Sequence, residues 1–230
     1  MKILVACESS GVVRDAFQNL GHEAWSCDLL PADDNTDSRY HIQGDVLTHN
    51  MGIHNPRWDL IIAHPPCTYL CCSGIHWMKE KTKSNLELQE VERLRVKKRK
   101  EDQEKAIHFF MEFTKLKCKW CIENPIGVMS TKYRKPDQII QPYQFGHDAS
   151  KSTCLWLHDL PKLIPTKEML PRLVKDAKTG KTRKRWANQT ASGQNRLGPS
   201  CDRWKIRSKT YEGIAKAMAE QWGVLDLSND

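Results

Sequence analysis

Residues 2–28, KILVACESSGVVRDAFQNLGHEAWSCD, decide the fold. Lys2–Cys7 is a short apolar run of the length and β-branched content of a buried strand. Gly11–Leu20 changes period: Val12, Val13, Ala16, Phe17 and Leu20 fall on one face of a 3.6-residue repeat, which predicts an amphipathic helix. Gly21-His22 turns the chain into a second strand, Glu23–Cys27, that ends on Asp28. A strand, a helix and a strand in so few residues is the parallel crossover unit, and such units cover both faces of a sheet with helices. The pattern recurs outward. Asp59–Ala63 is an apolar strand directly before two prolines, Glu101–Lys117 carries Ala106, Ile107, Phe110, Phe113 and Leu116 as a helical stripe, and Lys119–Glu123 returns to strand before Asn124-Pro125. The expectation is an α/β chain with a mostly parallel, doubly wound sheet.

The 230 residues suffice for one domain with a modest appendage. Lys and Arg outnumber Asp and Glu by 36 to 28, and the net charge of +8 points to a polyanionic partner such as nucleic acid. The first residues pass straight into a strand without a long apolar run, so no secretion signal is expected. No stretch approaches the roughly 20 apolar residues that cross a bilayer, so a soluble, intracellular chain with no membrane partner is expected. Nine cysteines, scattered and odd in number, read as reduced thiols rather than a disulfide framework.

Two stretches carry the charge. Lys79–Lys100, with Lys97-Lys98-Arg99-Lys100 as its most basic run, reads as the solvated face of a helix. Beyond Leu157, prolines at 161, 165 and 171 lead into the Lys- and Arg-rich stretch 175–185, where Thr179-Gly180 is a hairpin turn signal. Arg203–Lys209 adds further positive charge before Tyr211–Trp222, a helix with Ile214, Ala217, Met218, Gln221 and Trp222 on one face.

In open parallel sheets ligands collect at the carboxyl ends of strands. After the first strand come Glu8, Ser9, Ser10 and Gly11, small residues opening a helix whose backbone N–H groups suit a carboxylate or another ligand atom. After the second comes Asp28, placed to accept from both ribose hydroxyls of a nucleoside cofactor. Gly44-Asp45 follows, where Asp45 either accepts from an adenine amine or caps its own turn, the commoner fate. The segment His64-Pro65-Pro66-Cys67 delivers a thiol into a loop stiffened by proline; a cysteine there is either buried structure or a nucleophile. Cys121-Ile122-Glu123-Asn124-Pro125 ends another strand on a carboxyl group, which brings acid–base chemistry to the same crevice.

Pro65-Pro66-Cys67 followed by Glu123-Asn124 resembles the DNA cytosine-C5 methyltransferase family, in which a Pro-Pro-Cys loop and a Glu-Asn pair are catalytic. The similarity runs over residues 1–157 and the final helix and is greatest to short, phage-type members. It implies a Rossmann-like S-adenosylmethionine-dependent methyltransferase fold with a small basic insert near the carboxyl terminus. It divides the chain into a cofactor-binding and catalytic unit (1–157), a reduced basic target-recognition region (158–210) and a helix packing back on the catalytic unit (211–230). Glu8, Ser9, Ser10, Gly11, Asp28, Asp45 and Pro65 are then expected around S-adenosylmethionine, Cys67 as nucleophile, and Glu123 and Asn124 as its partners. The protein is expected to be a cytoplasmic monomer, in a bacterium or a phage-infected cell, with DNA as its partner.

The chain departs from the family in three places. The cofactor loop is Cys7-Glu8-Ser9-Ser10-Gly11 rather than Phe-x-Gly-x-Gly-Gly, and Pro125 replaces Val after Glu-Asn. The family's Gln-x-Arg-x-Arg strand falls on residues 141–157, which have no arginine; Gln144, His147 and Lys151 are the candidates to replace it. Lys175, Lys178, Lys181, Arg183, Lys184 and Arg185, with Arg196, Arg203, Lys205 and Arg207, are the candidates for gripping phosphates. The resemblance implies addition of the Cys67 thiolate to C6 of a flipped cytosine, with Glu123 holding a proton for N3 and Asn124 positioning loop and base. Three alternatives stay open: the same fold acting on a free cytosine nucleotide, a nucleic-acid-binding protein without catalysis, and a zinc protein built on Cys118-x-x-Cys121. No metal is expected, because residues three apart on a strand face opposite sides.

Overall fold

A computed structural model describes residues 1–33, 38–82, 84–175 and 179–224. Strands β1 (Lys2–Ala6), β2 (Glu23–Asp28), β3 (His41–Gln43), β4 (Leu60–Ala63), β5 (Lys119–Pro125), β6 (Gln138–Ile140) and β7 (Thr153–His158) form one sheet in the order β3-β2-β1-β4-β5-β7-β6. All pairings among β1 to β5 are parallel, and β7 runs antiparallel to both β5 and β6. The chain is thus α/β with a mostly parallel, Rossmann-like sheet, as the first 28 residues predict.

Alternation along the central strands sends side chains into two cores. Ile3, Val5, Leu60, Ile62, Cys121 and Leu155 pack with Val13 and Phe17 of α1 (Val12–Gln18) and with Ile214, Met218 and Trp222 of α5 (Glu212–Trp222). Leu4, Ala6, Ile61, Ala63, Ile122 and Trp156 pack on the opposite face with Phe110 and Phe113 of α2 (Leu86–Phe113). Strands buried on both faces need apolar residues at every position, which is why β4 reads Leu-Ile-Ile-Ala without a polar interruption.

Three features depart from the sequence reading. The charged stretch and the apolar stripe form a single helix, α2, of 28 residues and about 42 Å. No Gly or Pro interrupts residues 86–113, and the Asn85 side chain caps the start by accepting the Leu88 N–H at 2.8 Å. Its carboxyl half is core, while Leu86, Leu88, Val91 and Leu94 of its amino half are exposed. The second departure is the reversal of β7 inside an otherwise parallel sheet. The third is α4 (Arg203–Ser208), a short helix in a stretch that reads only as charge. The expected hairpin forms as β8 (Arg172–Lys175) and β9 (Thr182–Arg185), a two-stranded sheet separate from the main one. Among the described residues no helix is long and apolar enough to cross a membrane.

Candidate active site

The sheet order reverses between β1 and β4: the chain leaves β1 through α1 on one face and leaves β4 toward α2 on the other. Their carboxyl ends therefore part and open a crevice. Glu8 lies on one side of it, His64 to Cys67 on the other, and Glu123 and Asn124 at the end of neighbouring β5. Because β7 is reversed, its first residues arrive at this same end of the sheet: Thr153 pairs with Pro125 and Cys154 with Asn124. Lys151 is thereby delivered next to the end of β5.

The Cys67 loop is held from three sides. The Leu70 and Cys71 N–H groups both donate to Cys67 O at 3.0 Å, closing a tight turn. From α2, Gln103 donates to Tyr69 O at 2.7 Å, while the Arg99 guanidinium lies 5.1 Å from the centre of the Tyr69 ring. From the segment after β5, Val128 donates to Leu70 O at 2.9 Å and Cys72 donates to Ile126 O at 3.0 Å. Gly127 makes that contact sterically feasible, since a Cβ there would stand 1.9 Å from Leu70 O. Asn124, 1% exposed, completes the arrangement by donating its Nδ2 to Pro65 O at 2.7 Å.

Cys67 and Cys71 share a hydrogen bond. It draws the Cys71 thiol down to about 5, helped by Ser73 Oγ at 3.0 Å and by the Gly74 N–H. The same bond, with burial and the charges of Cys71 and Glu123, pushes Cys67 up, against a downward pull from Lys151. The two sulfurs share one proton through this bond, which favours a thiolate in the pair.

Glu123 Oε2 lies 3.0 Å from His64 Nδ1, and both side chains are nearly buried, at 13% and 10% exposure. Burial pushes the Glu123 carboxyl up, but the His64 and Thr153 hydrogen bonds and the Lys151 and His64 charges outweigh it and hold the group below its ordinary value. These neighbours favour the carboxylate form of Glu123. The carboxylate can only accept, so Nδ1 is the donor in this bond.

On the β1 side of the crevice, Glu8 is 5% exposed and turned inward. Its Oε1 accepts from Val13 N at 2.8 Å and Ser10 Oγ at 3.2 Å, and Oε2 from Arg14 N at 3.3 Å. Burial pushes this carboxyl up, while the His64 charge and the two N–H groups pull it down. Left-handed backbone at Cys7 (φ 60°) and Gly11 (φ 71°) brackets the loop and lets Glu8 fold beneath α1. The amides expected to receive a ligand carboxylate are thus already bonded to the chain's own. Asp28 ends β2 and accepts from Leu30 N at 2.9 Å. Asp45 is exposed and caps its turn through Leu47 N at 2.9 Å. Both act at one place, since burial together with the charges of Asp28 and Asp45 raises Cys7 and Cys27.

The candidate DNA contacts divide. Gln144 Oε1 accepts from Gln141 N at 2.7 Å, and His147 Nε2 accepts from Gly213 N at 2.8 Å, capping α5. Both side chains are spent on the protein's own backbone. Lys151 acts on Cys67 and Glu123 and donates to Arg207 O at 3.0 Å. On the β8–β9 ribbon, pairing sets Arg183 and Arg185 on one face with Val174 and Arg172, and Lys184 on the other with Leu173. Arg185 donates to Ala191 O at 3.0 Å and to Lys184 O at 2.9 Å, while Lys184 is exposed. Lys178 lies outside the described residues. Lys205 and Lys209 both pair with Asp33, which is 9% exposed and donates its N–H to Ser9 O at 2.7 Å. Helix α4 therefore spans from the Glu8–Gly11 loop, through Asp33, to Lys151 beside the Glu123 carboxylate.

Among the described residues no group of three or more His, Cys, Asp or Glu is placed to hold a metal ion. No family model matches the chain, and a search of the curated proteins gives no match either.

Residue-type reasoning passed over His64, Cys71 and Gly127. His64 stands directly before the two prolines, and Cys71 is four residues from Cys67, one turn away. Gly127 follows Asn124-Pro125 closely, a signal of a tight approach that went unused.

Proposed function

We propose that this chain is an S-adenosylmethionine-dependent DNA cytosine-C5 methyltransferase with Cys67 as its nucleophile. The observation that carries the reading is the bond from Asn124 Nδ2 to Pro65 O, which ties the Glu-Asn pair of β5 to the Pro-Pro-Cys loop of β4 across one crevice.

The cofactor candidates fit S-adenosylmethionine at its nucleoside end. Asp28 ends a strand where a ribose diol needs an acceptor, and Asp45 adds negative charge to the same rim. At the amino-acid end the fit differs from the family pattern, since Glu8 occupies the Val13 and Arg14 amides; the Ser9 and Ser10 portion of the loop would hold that end. When bound, the cofactor supplies a methyl group on a sulfonium centre, open to displacement by a carbon nucleophile.

Cytosine C5 is too poor in electrons for that displacement until a nucleophile adds at C6. Cys67 and Cys71 share one proton between their sulfurs; as Cys67 forms the S–C6 bond, that proton stays on Cys71. The electron pair of the C5–C6 double bond moves toward N3, where Glu123, protonated once the base shuts it from water, donates. After C5 gains its methyl, solvent water takes the C5 proton, that C–H pair re-forms the C5–C6 double bond as the S–C6 bond breaks, the sulfur leaves as thiolate, and the N3 proton returns to Glu123. Cytosine inside a duplex hides C6, so the base must leave the stack. The ribbon and its flanks grip phosphates more readily than base edges, so a short or relaxed target sequence is proposed; a strict site of six or more base pairs in bisulfite-sequenced DNA would overturn that part.

The test is incubation with labelled S-adenosylmethionine and DNA containing 5-fluorocytosine, which cannot lose its C5 substituent. A covalent adduct mapping to Cys67 is expected. Methylation of ordinary DNA with no adduct would overturn the mechanism, and labelling of free nucleotide but not DNA would move the substrate class.

A further inference from the structure

The crevice contains one side chain that the mechanism above leaves idle. His64 is nine-tenths buried between two carboxylates: it bonds Glu123 through Nδ1 and its charge acts on Glu8. Its Nε2 is buried and has no hydrogen-bond partner among the described residues. An unsatisfied buried nitrogen costs roughly 1–3 kcal/mol, and a Leu or Phe would fill the same space without that cost. A group kept at such expense in a crevice calls for a functional explanation.

Glu123 must present one oxygen to the base while the other is held. Its backbone is fixed at the end of β5, but a glutamate side chain has three rotatable bonds, and a general acid works only when its proton lies on the line to the acceptor. From the assembled residues we infer that His64 is the positioning residue of this site: its Nδ1–H anchors Glu123 Oε2 and leaves Oε1 as the oxygen that serves the substrate. The inference rests on the methyltransferase reading and deepens it.

The surroundings give the sign of its effect on pH dependence. Glu8 from the β1 loop, Cys67 and Cys71 from the nucleophile loop and Lys151 before β7 are the other ionisable groups around His64 and Glu123, with Cys121 and Cys154 on the flanking strands. Removing His64 takes away a hydrogen bond and a charge that favour the Glu123 carboxylate, and leaves burial, which disfavours it. The carboxyl of a His64→Ala variant therefore keeps its proton to higher pH than that of the wild type, yet is no longer aimed.

The experiment compares wild type, His64→Ala and His64→Asn by methyl transfer to DNA over the pH range in which all three stay folded. Asn offers an N–H near the position of Nδ1 but cannot titrate. His64→Ala should lower kcat about 10- to 100-fold with KM for DNA and cofactor unchanged, and move the alkaline limb of the profile upward. His64→Asn should recover most of that loss. A His64→Ala kcat within about two-fold of wild type, a loss confined to KM, or an Asn variant that folds but is no better than Ala, would each overturn the inference. Nitrogen NMR of imidazole-labelled protein reads the geometry without turnover, as an Nδ1-bound proton that shifts on Glu123→Gln. An inactive wild type with that proton present overturns the methyltransferase reading alone; its absence overturns the inference whether or not the chain is active.

Discussion

The crevice and the basic appendage differ in what their polar groups bond to. In the crevice, side chains from β1, β4, β5 and the segment before β7 bond to one another and to neighbouring backbone while almost shut from water: Glu8 to α1, His64 to Glu123, Asn124 to Pro65 O. In the appendage, Arg172, Arg185 and Arg203 bond to nearby carbonyl groups at the surface, and Lys181 and Lys184 point into solvent. A buried network fixes distances and tolerates little change, whereas an exposed cation contributes through a field that neighbouring cations also supply. On the proposed function, chemistry belongs to the first region and presentation of the substrate to the second.

The sharpest way to break that division is Cys67→Ser, which should lower methyl transfer at least about a thousand-fold without unfolding the chain. Residual activity within ten-fold, measured with labelled cofactor, would put the nucleophile elsewhere. Next comes Gly127→Ala, which forces a Cβ onto Leu70 O and should cost roughly 1–3 kcal/mol in urea unfolding while reducing adduct formation. Unchanged stability would mean the loops are not zipped as described. Cys71→Ser should act on pH dependence: with the Cys71 thiol drawn down to about 5, alkylation of the pair proceeds below neutral pH in wild type, and the variant should need the alkaline range of an ordinary thiol. Mass spectrometry of iodoacetamide-treated protein follows it. The smallest effect belongs to the ribbon, where Lys184→Ala should weaken DNA binding a few-fold and reduce the salt slope by about 1, while Arg185→Ala, already bonded to backbone, should do less. A loss of kcat from either would break the division from the other side.

The sequence makes the first region legible and the second only in outline. Strands β1, β2, β4 and β5 announce themselves because a strand covered on both faces cannot hide its apolar run, and Cys67 with Glu123-Asn124 announces a chemistry. The direction of β7 is not legible: Thr-Cys-Leu-Trp-Leu-His reads the same either way up, and only pairing with β5 settles it. The neighbours that set the charge of Glu123 are not legible either. Its partner His64 lies 59 positions away, and a pKa depends on neighbours that a linear reading does not supply. Gln144 and His147 were assigned by their place in a family pattern, while their actual partners, Gln141 and Gly213, follow from how loop and helix pack.

The reversal of β7 also sets a length. Its last residue, His158, lies opposite Trp120, at the end of the sheet away from the crevice, so the appendage starts on the wrong side and must climb back. It does so along the outer edge: Leu163 against Gln138, Lys167 beside Phe145, Ala187 on Asp148, and Arg207 at Lys151. The climb equals the height of a six-residue strand, about 20 Å. Residues 159–167 thus work as a ruler. Shortening them would draw β8, β9 and α4 back toward the end of the sheet away from the crevice.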